Sequence, residues 1–141
     1  MRFAKYHALG NDYLVLEPKD CPTLFSPLAI RKVCHRHYGL GSDGILYGPI
    51  ERTDGAFGLR ILNPDGSEAE KSGNGIRIFC RHLLDTKRVK QGDEFRLHTP
   101  GGFVRCTVFD GGARIRVEMG NVSFRAPVIP HVGPDREVLG E

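Results

Sequence analysis

Ser72-Gly73-Asn74-Gly75 is the stretch of this chain best equipped for chemistry. It closes the run from Asn63-Pro64-Asp65-Gly66-Ser67 to Arg77, in which a strand end, a tight turn and a glycine-flanked helix start follow one another. A helix beginning near Asn74 leaves its first backbone N–H groups unpaired and aims the positive end of its dipole at whatever lies before it. Gly73 and Gly75 admit a close approach to that backbone, and Ser72 and Asn74 add short polar side chains at the same spot. The combination suits a carboxylate or a phosphate, with one hydroxyl beside it. An ordinary N-cap uses the same residues, so the binding and capping readings both stand on this stretch alone.

Strands dominate the elements that must hold this stretch. Arg2 to Ala8 and Tyr13 to Glu17 read as two strands broken by Leu9-Gly10-Asn11-Asp12, where Gly and Asn tolerate turn conformations. Ser26-Pro27 supplies an N-cap and first-turn proline for a helix running to about His37, with Ile30, Val33, Cys34 and His37 on one face. Further strands are expected at Gly44–Tyr47 and Phe57–Leu62. A meander follows over Asp93–Thr99, Phe103–Asp110 and Ala113–Met119, punctuated by Pro100-Gly101-Gly102 and Asp110-Gly111-Gly112. Ile115, Val117 and Met119 alternate with Arg114, Arg116 and Glu118, the pattern of a sheet with one wet face. From Asn74 to about Lys87 the apolar residues Ile76, Ile78, Phe79, Cys80, Leu83 and Leu84 cover more of a helix than a surface stripe needs. The fold class expected is therefore α/β (α+β), a mostly antiparallel sheet curled around one central buried helix whose start lies at one end of the barrel.

Composition narrows the function. The chain has 141 residues, 40% apolar and 26% charged, enough for one soluble domain with its own core, and no apolar run approaches the length of about 18 residues that spans a bilayer. Met1-Arg2-Phe3-Ala4-Lys5 opens into a strand-like pattern without a basic leader, so a cytoplasmic location and no membrane partner are expected. The net charge of +3 is spread among acids and apolar residues, without stacked aromatics or a helix-turn-helix, and nucleic acid is not expected as a partner. Cys21, Cys34, Cys80 and Cys106 form no C-x-x-C pair, and in Cys34-His35-x-His37 the side chains of a helix diverge, so no metal site is expected. Cys80 reads as a small apolar core residue. After Met119 the chain passes Pro127, Pro130 and Pro134 to Glu141 without a closing element. A domain over residues 1–126 followed by the start of a linker or second half at 127–141 is expected.

Three blocks now carry a resemblance: Phe3-Ala4-Lys5-Tyr6-His7-Ala8-Leu9-Gly10-Asn11-Asp12-Tyr13, Gly39-Leu40-Gly41-Ser42-Asp43-Gly44, and Asn63-Pro64-Asp65-Gly66-Ser67 running into Ser72-Gly73-Asn74-Gly75-x-Arg77. In order and spacing they resemble the diaminopimelate epimerase family, over Met1 to about Phe124. Such epimerases are about twice this length, with two similar lobes facing each other across a cleft and one catalytic thiol from each. The resemblance implies cofactor-free inversion at an α-carbon, interconverting LL- and meso-diaminopimelate in lysine biosynthesis. A thiolate takes the α-proton on one face while a thiol delivers another on the opposite face, and helix N-termini aimed at the α-carboxylate stabilise the carbanion. The family pattern implies substrate contacts at Asn11, Asn63 and Asn74, with backbone donors at Gly73 and Asn74. Local turn or cap chemistry is the competing reading for each asparagine.

Two positions depart from the family. Ser72 stands where the catalytic cysteine falls, and Gly44 where a glutamine near the substrate is frequent. A free thiol has a pKa of about 8.5, lowered further at a helix N-terminus, whereas a serine hydroxyl is far less acidic and needs a base beside it. No residue near Ser72 in sequence is an evident base for it, and sequence alone gives His7, Glu70 and His82 no placement against it; a His at such a position is more often structural or exposed. Four readings follow: the amino half of an epimerase whose second half carries the remaining thiol, an active variant in which Ser72 relays a proton or is an engineered replacement of the cysteine, an amino-acid-binding paralogue without chemistry, and a cofactor-free isomerase or dehydratase for another substrate. The first needs a second half or, failing that, a two-fold homodimer to rebuild the cleft.

Overall fold

The computed structural model describes residues 2–121. The expected boundary at 126–127, the segment 127–141 and the end of the resemblance near Phe124 lie outside the described residues. Strands β1 (Ala4–Ala8) and β2 (Asn11–Leu16) form a hairpin with Ala8 opposite Asn11. Its turn is Leu9-Gly10 alone, both at positive φ (54° and 86°), the geometry that matches the twist of two paired strands. Asn11 and Asp12 therefore belong to β2, not to the break expected over residues 9–12. Leu9 is 93% exposed, so it holds a left-handed backbone without packing in return. Leu9→Asn is expected to stabilise the chain by about 1 kcal/mol, seen as a higher urea midpoint at unchanged slope.

Helix α1 (Pro27–Cys34) starts where expected, with Ser26 Oγ accepting from Ala29 N–H at 3.3 Å. It stops three residues before His37, because Leu40, Gly41 and Ser42 fold back and donate to the carbonyls of Val33 and Cys34. His37 is consequently exposed instead of lying on the apolar face. His35 Nδ1 accepts from His37 N–H and Tyr38 N–H, each at 3.1 Å, which gives this ring a local capping role.

Next come β3 (Ile45–Ile50), β4 (Phe57–Leu62), the short β5 (Glu68–Ala69), α2 (Gly73–Asp85), β6 (Glu94–Thr99), β7 (Gly102–Phe109), a 3-10 turn at Asp110–Gly112 and β8 (Arg114–Glu118). The sheet order is β1-β2-β3-β4-β6-β7-β8, with β5 beside β4. Two neighbouring pairs, β2–β3 and β4–β6, are parallel, and their connections carry α1 and α2 respectively; the other pairs are antiparallel. The sheet is thus mixed but mostly antiparallel, curled around α2, as the apolar circumference of that helix required. β5 had no signal in the sequence, since two residues carry no alternation. α2 ends two residues before Lys87, where Thr86 N–H and Oγ1 donate to His82 O at 2.9 and 2.7 Å.

Alternation sorts the core. Tyr13, Val15, Leu46, Leu59 and Ile61 face α2 and pack with Ile76, Phe79, Cys80 and Leu83, while Leu14, Leu16, Ile45, Tyr47 and Leu62 face the other way against Ile30 and Cys34 of α1. Strands β2–β4 are buried on both faces for that reason. On β8 the wet face is present: Arg114, Arg116 and Glu118 are exposed and Ile115 and Val117 turn inward, but Met119, expected to continue the inward face, lies past the strand end and is exposed. Cys80 is fully buried, and the adjacent Cys106 thiol together with burial pushes its thiol pKa well up, so it behaves as an inert core residue. No helix among the described residues is long and apolar enough to cross a membrane.

Candidate active site

One end of the half-barrel gathers the residues singled out by sequence. Leu14 pairs with Ile45 and Ile45 with Leu62, so Tyr13, Gly44 and Asn63 stand in one row at the start of β2, the start of β3 and the end of β4. Asn11 lies at the same end, one turn from β1. The chain then runs from Asn63 through β5 and arrives at Ser72, where α2 begins.

Ser72 is the N-cap of α2, extended at φ −143° and ψ 114°. Its Oγ accepts from Gly75 N–H at 3.1 Å and its carbonyl from Ile76 N–H at 2.8 Å. Among the described residues, Gly73 N–H and Asn74 N–H have no hydrogen-bond partner, and these are the donors a bound anion would meet. A Cβ on Gly73 would meet only Arg77 Nη1 at 3.6 Å, so access and not packing is what glycine supplies there. At Gly75 the reason is packing, with Ser72 Oγ 3.1 Å and Leu46 Cδ2 3.2 Å from where a Cβ would lie.

Each asparagine has one end of its amide committed. Asn11 Nδ2 donates to Asp43 Oδ2 at 3.0 Å, and Asn63 Nδ2 donates to Ser67 Oγ at 2.9 Å. Asn74 Oδ1 accepts from Arg77 Nη2. What is left over is an acceptor oxygen on Asn11 and Asn63 and a donor amide on Asn74. The Asn63 turn is closed further by Gly66 N–H donating to Asn63 O, and by Asp65 Oδ1 accepting from Ser67. Asp43 is a participant that sequence reasoning missed, although its block was noted. It joins Asp12, Arg36 and Lys5 in an ion cluster that clamps the β1–β2 hairpin to the 35–43 loop. Hydrogen bonds from Arg36 hold the Asp12 carboxyl far below the usual carboxylate range.

Among the described residues, none of His7, Glu70 and His82 is hydrogen-bonded to Ser72. His82 lies ten residues along α2 from Ser72, about 15 Å by helix rise, with its Nε2 2.8 Å from Glu17 Oε1. Glu70 is exposed, and its backbone carbonyl accepts from Gly101 N–H. His7 lines a groove of about 600 Å³ between β1 and β8 that runs along the flank of α2, not at its start. The group that does reach Ser72 is Tyr13, whose Oη is 3.3 Å from Oγ. Strand alternation could have placed Tyr13 inward with Val15, but not against a residue 59 positions away. Among the described residues no cluster of His, Cys, Asp or Glu has the makings of a metal site.

A curled mixed sheet around one helix is the fold of one lobe in solved structures that include a hydroxyproline epimerase and a probable proline racemase. A hydroxyproline epimerase from Agrobacterium vitis, solved with trans-4-hydroxy-L-proline bound, superimposes with a TM-score of 0.59 at 16% identity over 77% of this chain and 38% of that one. That likeness is one of fold. The chain belongs to the diaminopimelate epimerase family, whose family model matches residues 3–125. It is 54% identical over its whole length to "Diaminopimelate epimerase 2" of Nostoc sp. (strain PCC 7120), covering 49% of that protein. It is 39% identical to the diaminopimelate epimerase of Moorella thermoacetica, covering 51%. The chain thus spans about half the length of these curated relatives.

Proposed function

We propose that this chain forms one face of a cofactor-independent amino-acid epimerase site, the substrate being diaminopimelate in lysine biosynthesis and the location the cytoplasm. The observation that supports this best is the pair of N–H groups at Gly73 and Asn74, unpaired among the described residues, beside Ser72, which the resemblance aligns with the family's catalytic cysteine. These donors and the free Asn74 amide suit an α-carboxylate. The free oxygens of Asn11 and Asn63 suit an α-ammonium. A carboxylate held by helix-terminal N–H groups draws negative charge from a neighbouring carbanion, which is the electrostatic part of the catalysis.

Inversion needs a proton donor and acceptor on opposite faces. This chain provides one face, and a second lobe, or a second copy related by a two-fold axis, would provide the other. The expected result is that the 141-residue chain binds meso-diaminopimelate without changing its LL/meso ratio. Deuterium uptake at the α-carbon, followed by proton NMR in D2O, would appear only once a thiol-bearing second lobe is joined to it. Inversion by the isolated monomer would refute this reading. A second reading, an amino-acid-binding paralogue without chemistry, draws on the surroundings of Ser72: among the described residues no His, Asp or Glu side chain is hydrogen-bonded to its hydroxyl. Binding with no α-hydrogen exchange in the two-lobed protein would select it.

A further inference from the structure

Among the described residues, Ser72 is hydrogen-bonded from outside its own helix by a single side chain, that of Tyr13, whose Oη lies 3.3 Å from its Oγ. We propose that Tyr13 is a positioning residue of this site: by donating to Ser72 Oγ it leaves the Ser72 O–H as a pure donor directed at a bound α-amino acid. The proposal rests on the amino-acid reading of the α2 start given above.

A serine hydroxyl has one proton and two acceptor lone pairs. Gly75 N–H fills one of them at 3.1 Å. A phenol ordinarily ionises near pH 10 and an aliphatic hydroxyl is far less acidic, so in the Tyr13–Ser72 contact the phenol donates and the alcohol accepts. Both lone pairs of Oγ are then engaged. The remaining O–H points away from both donors, able to bind a carboxylate oxygen but without a free lone pair to accept an α-hydrogen as a proton. Ser72 on this face acts as a donor, where a cysteine thiolate would act as a base.

The packing is shaped around that contact. Tyr13 is 6% exposed, and among the described residues its Oη has no other partner. A Cβ on Gly44 would fall 2.7 Å from Tyr13 Cε1 and 2.6 Å from Leu62 O. With a side chain at position 44 the ring or the Leu62 carbonyl would have to shift. Ser72 and Gly44, the two departures from the family pattern, are therefore linked through one side chain: Gly44 makes room for the ring whose hydroxyl reaches Ser72.

The test combines calorimetric titration of meso-diaminopimelate with NMR of chain labelled with [ζ-13C]tyrosine, using the wild type, Tyr13→Phe, Ser72→Ala and the double variant. Tyr13→Phe is expected to weaken binding about three- to tenfold, the loss of one oriented hydrogen bond, and to add nothing in the Ser72→Ala background. Without ligand, the Tyr13 Cζ resonance, assigned by its absence in Tyr13→Phe, is expected to move in Ser72→Ala because the phenol loses its acceptor. A side chain that only filled space would leave that resonance in place. Wild-type affinity in Tyr13→Phe, multiplying effects in the double variant, or an unmoved resonance overturns the role of Tyr13. Absence of wild-type binding together with a coupled resonance overturns instead the amino-acid reading, and with it the proposed direction of the hydroxyl.

Discussion

Ser72→Cys, made in this lobe joined to a thiol-bearing second lobe, is expected to raise α-hydrogen exchange from diaminopimelate by about 10²–10⁴-fold, the range over which a positioned general acid or base acts. The geometry favours the substitution. The side chain at this position already receives Gly75 N–H and sits at the positive end of a 13-residue helix, the setting that lowers a thiol pKa below its ordinary value of about 8.5. Deuterium uptake at the α-carbon measures the rate. Alkylation of the unjoined Ser72→Cys lobe by iodoacetamide across pH measures the introduced thiol directly, because Cys21, Cys34, Cys80 and Cys106 are all buried. In the Ser72→Cys background Tyr13→Phe should change the exchange rate by less than about threefold, since a thiol carries its own readily ionised proton. An unchanged exchange rate with a reactive, low-pKa thiol would show that the pocket around it, not the nucleophile, has diverged.

Glu17→Gln is the second large effect, and it concerns stability. Glu17 follows β2 and is 7% exposed. Arg88 Nη2 and Nη1 donate to its two oxygens at 2.6 and 3.0 Å, Lys19 Nζ lies at 3.0 Å and His82 Nε2 at 2.8 Å. Burial by itself would raise the carboxyl pKa, but the hydrogen bonds from Arg88, Lys19 and His82 outweigh it and bring it down to about 2. Removing the charge leaves a half-buried guanidinium unpaired against the core end of α2. The expected cost is about 3 kcal/mol, or roughly 10 °C in Tm for a domain of this size. A depressed carboxylate pKa contributes stability that is complete above the unfolded value near 4.5 and is lost as pH falls through about 2. Wild-type stability should therefore drop across pH 4.5 to 2 more steeply than that of Glu17→Gln, as read by urea denaturation at each pH.

Glu17 also shows where sequence reading stops. Its position after an alternating strand was legible, yet nothing local says that a carboxylate at 17 will meet a histidine at 82 and an arginine at 88. Only the curl of the sheet around α2 brings the end of β2 to the last turns of that helix. The same holds at the other end. Ser72, Gly73, Asn74 and Gly75 could be read as a helix start with anion-binding potential, because caps and unpaired N–H groups are properties of consecutive residues. Which end of each asparagine remains free was not legible, since Asp43, Ser67 and Arg77 take the other end.

The sequence by itself determined most of the elements and the family. Ser26-Pro27 starts α1 through a local cap, alternation places Ile115 and Val117 inward, and the apolar circumference of residues 76–84 demands a helix enclosed by sheet. Three motif blocks in order carry the resemblance that the family match over residues 3–125 bears out. Tertiary structure alone decided the pairings across the fold. The Tyr13–Ser72 contact spans 59 positions and depends on the register that sets β2 beside β3, on the missing Cβ at Gly44, and on the helix start being carried back to the same end of the sheet. Local physics specifies what each residue offers. Register and curvature, set by the whole core at once, specify which residue receives it.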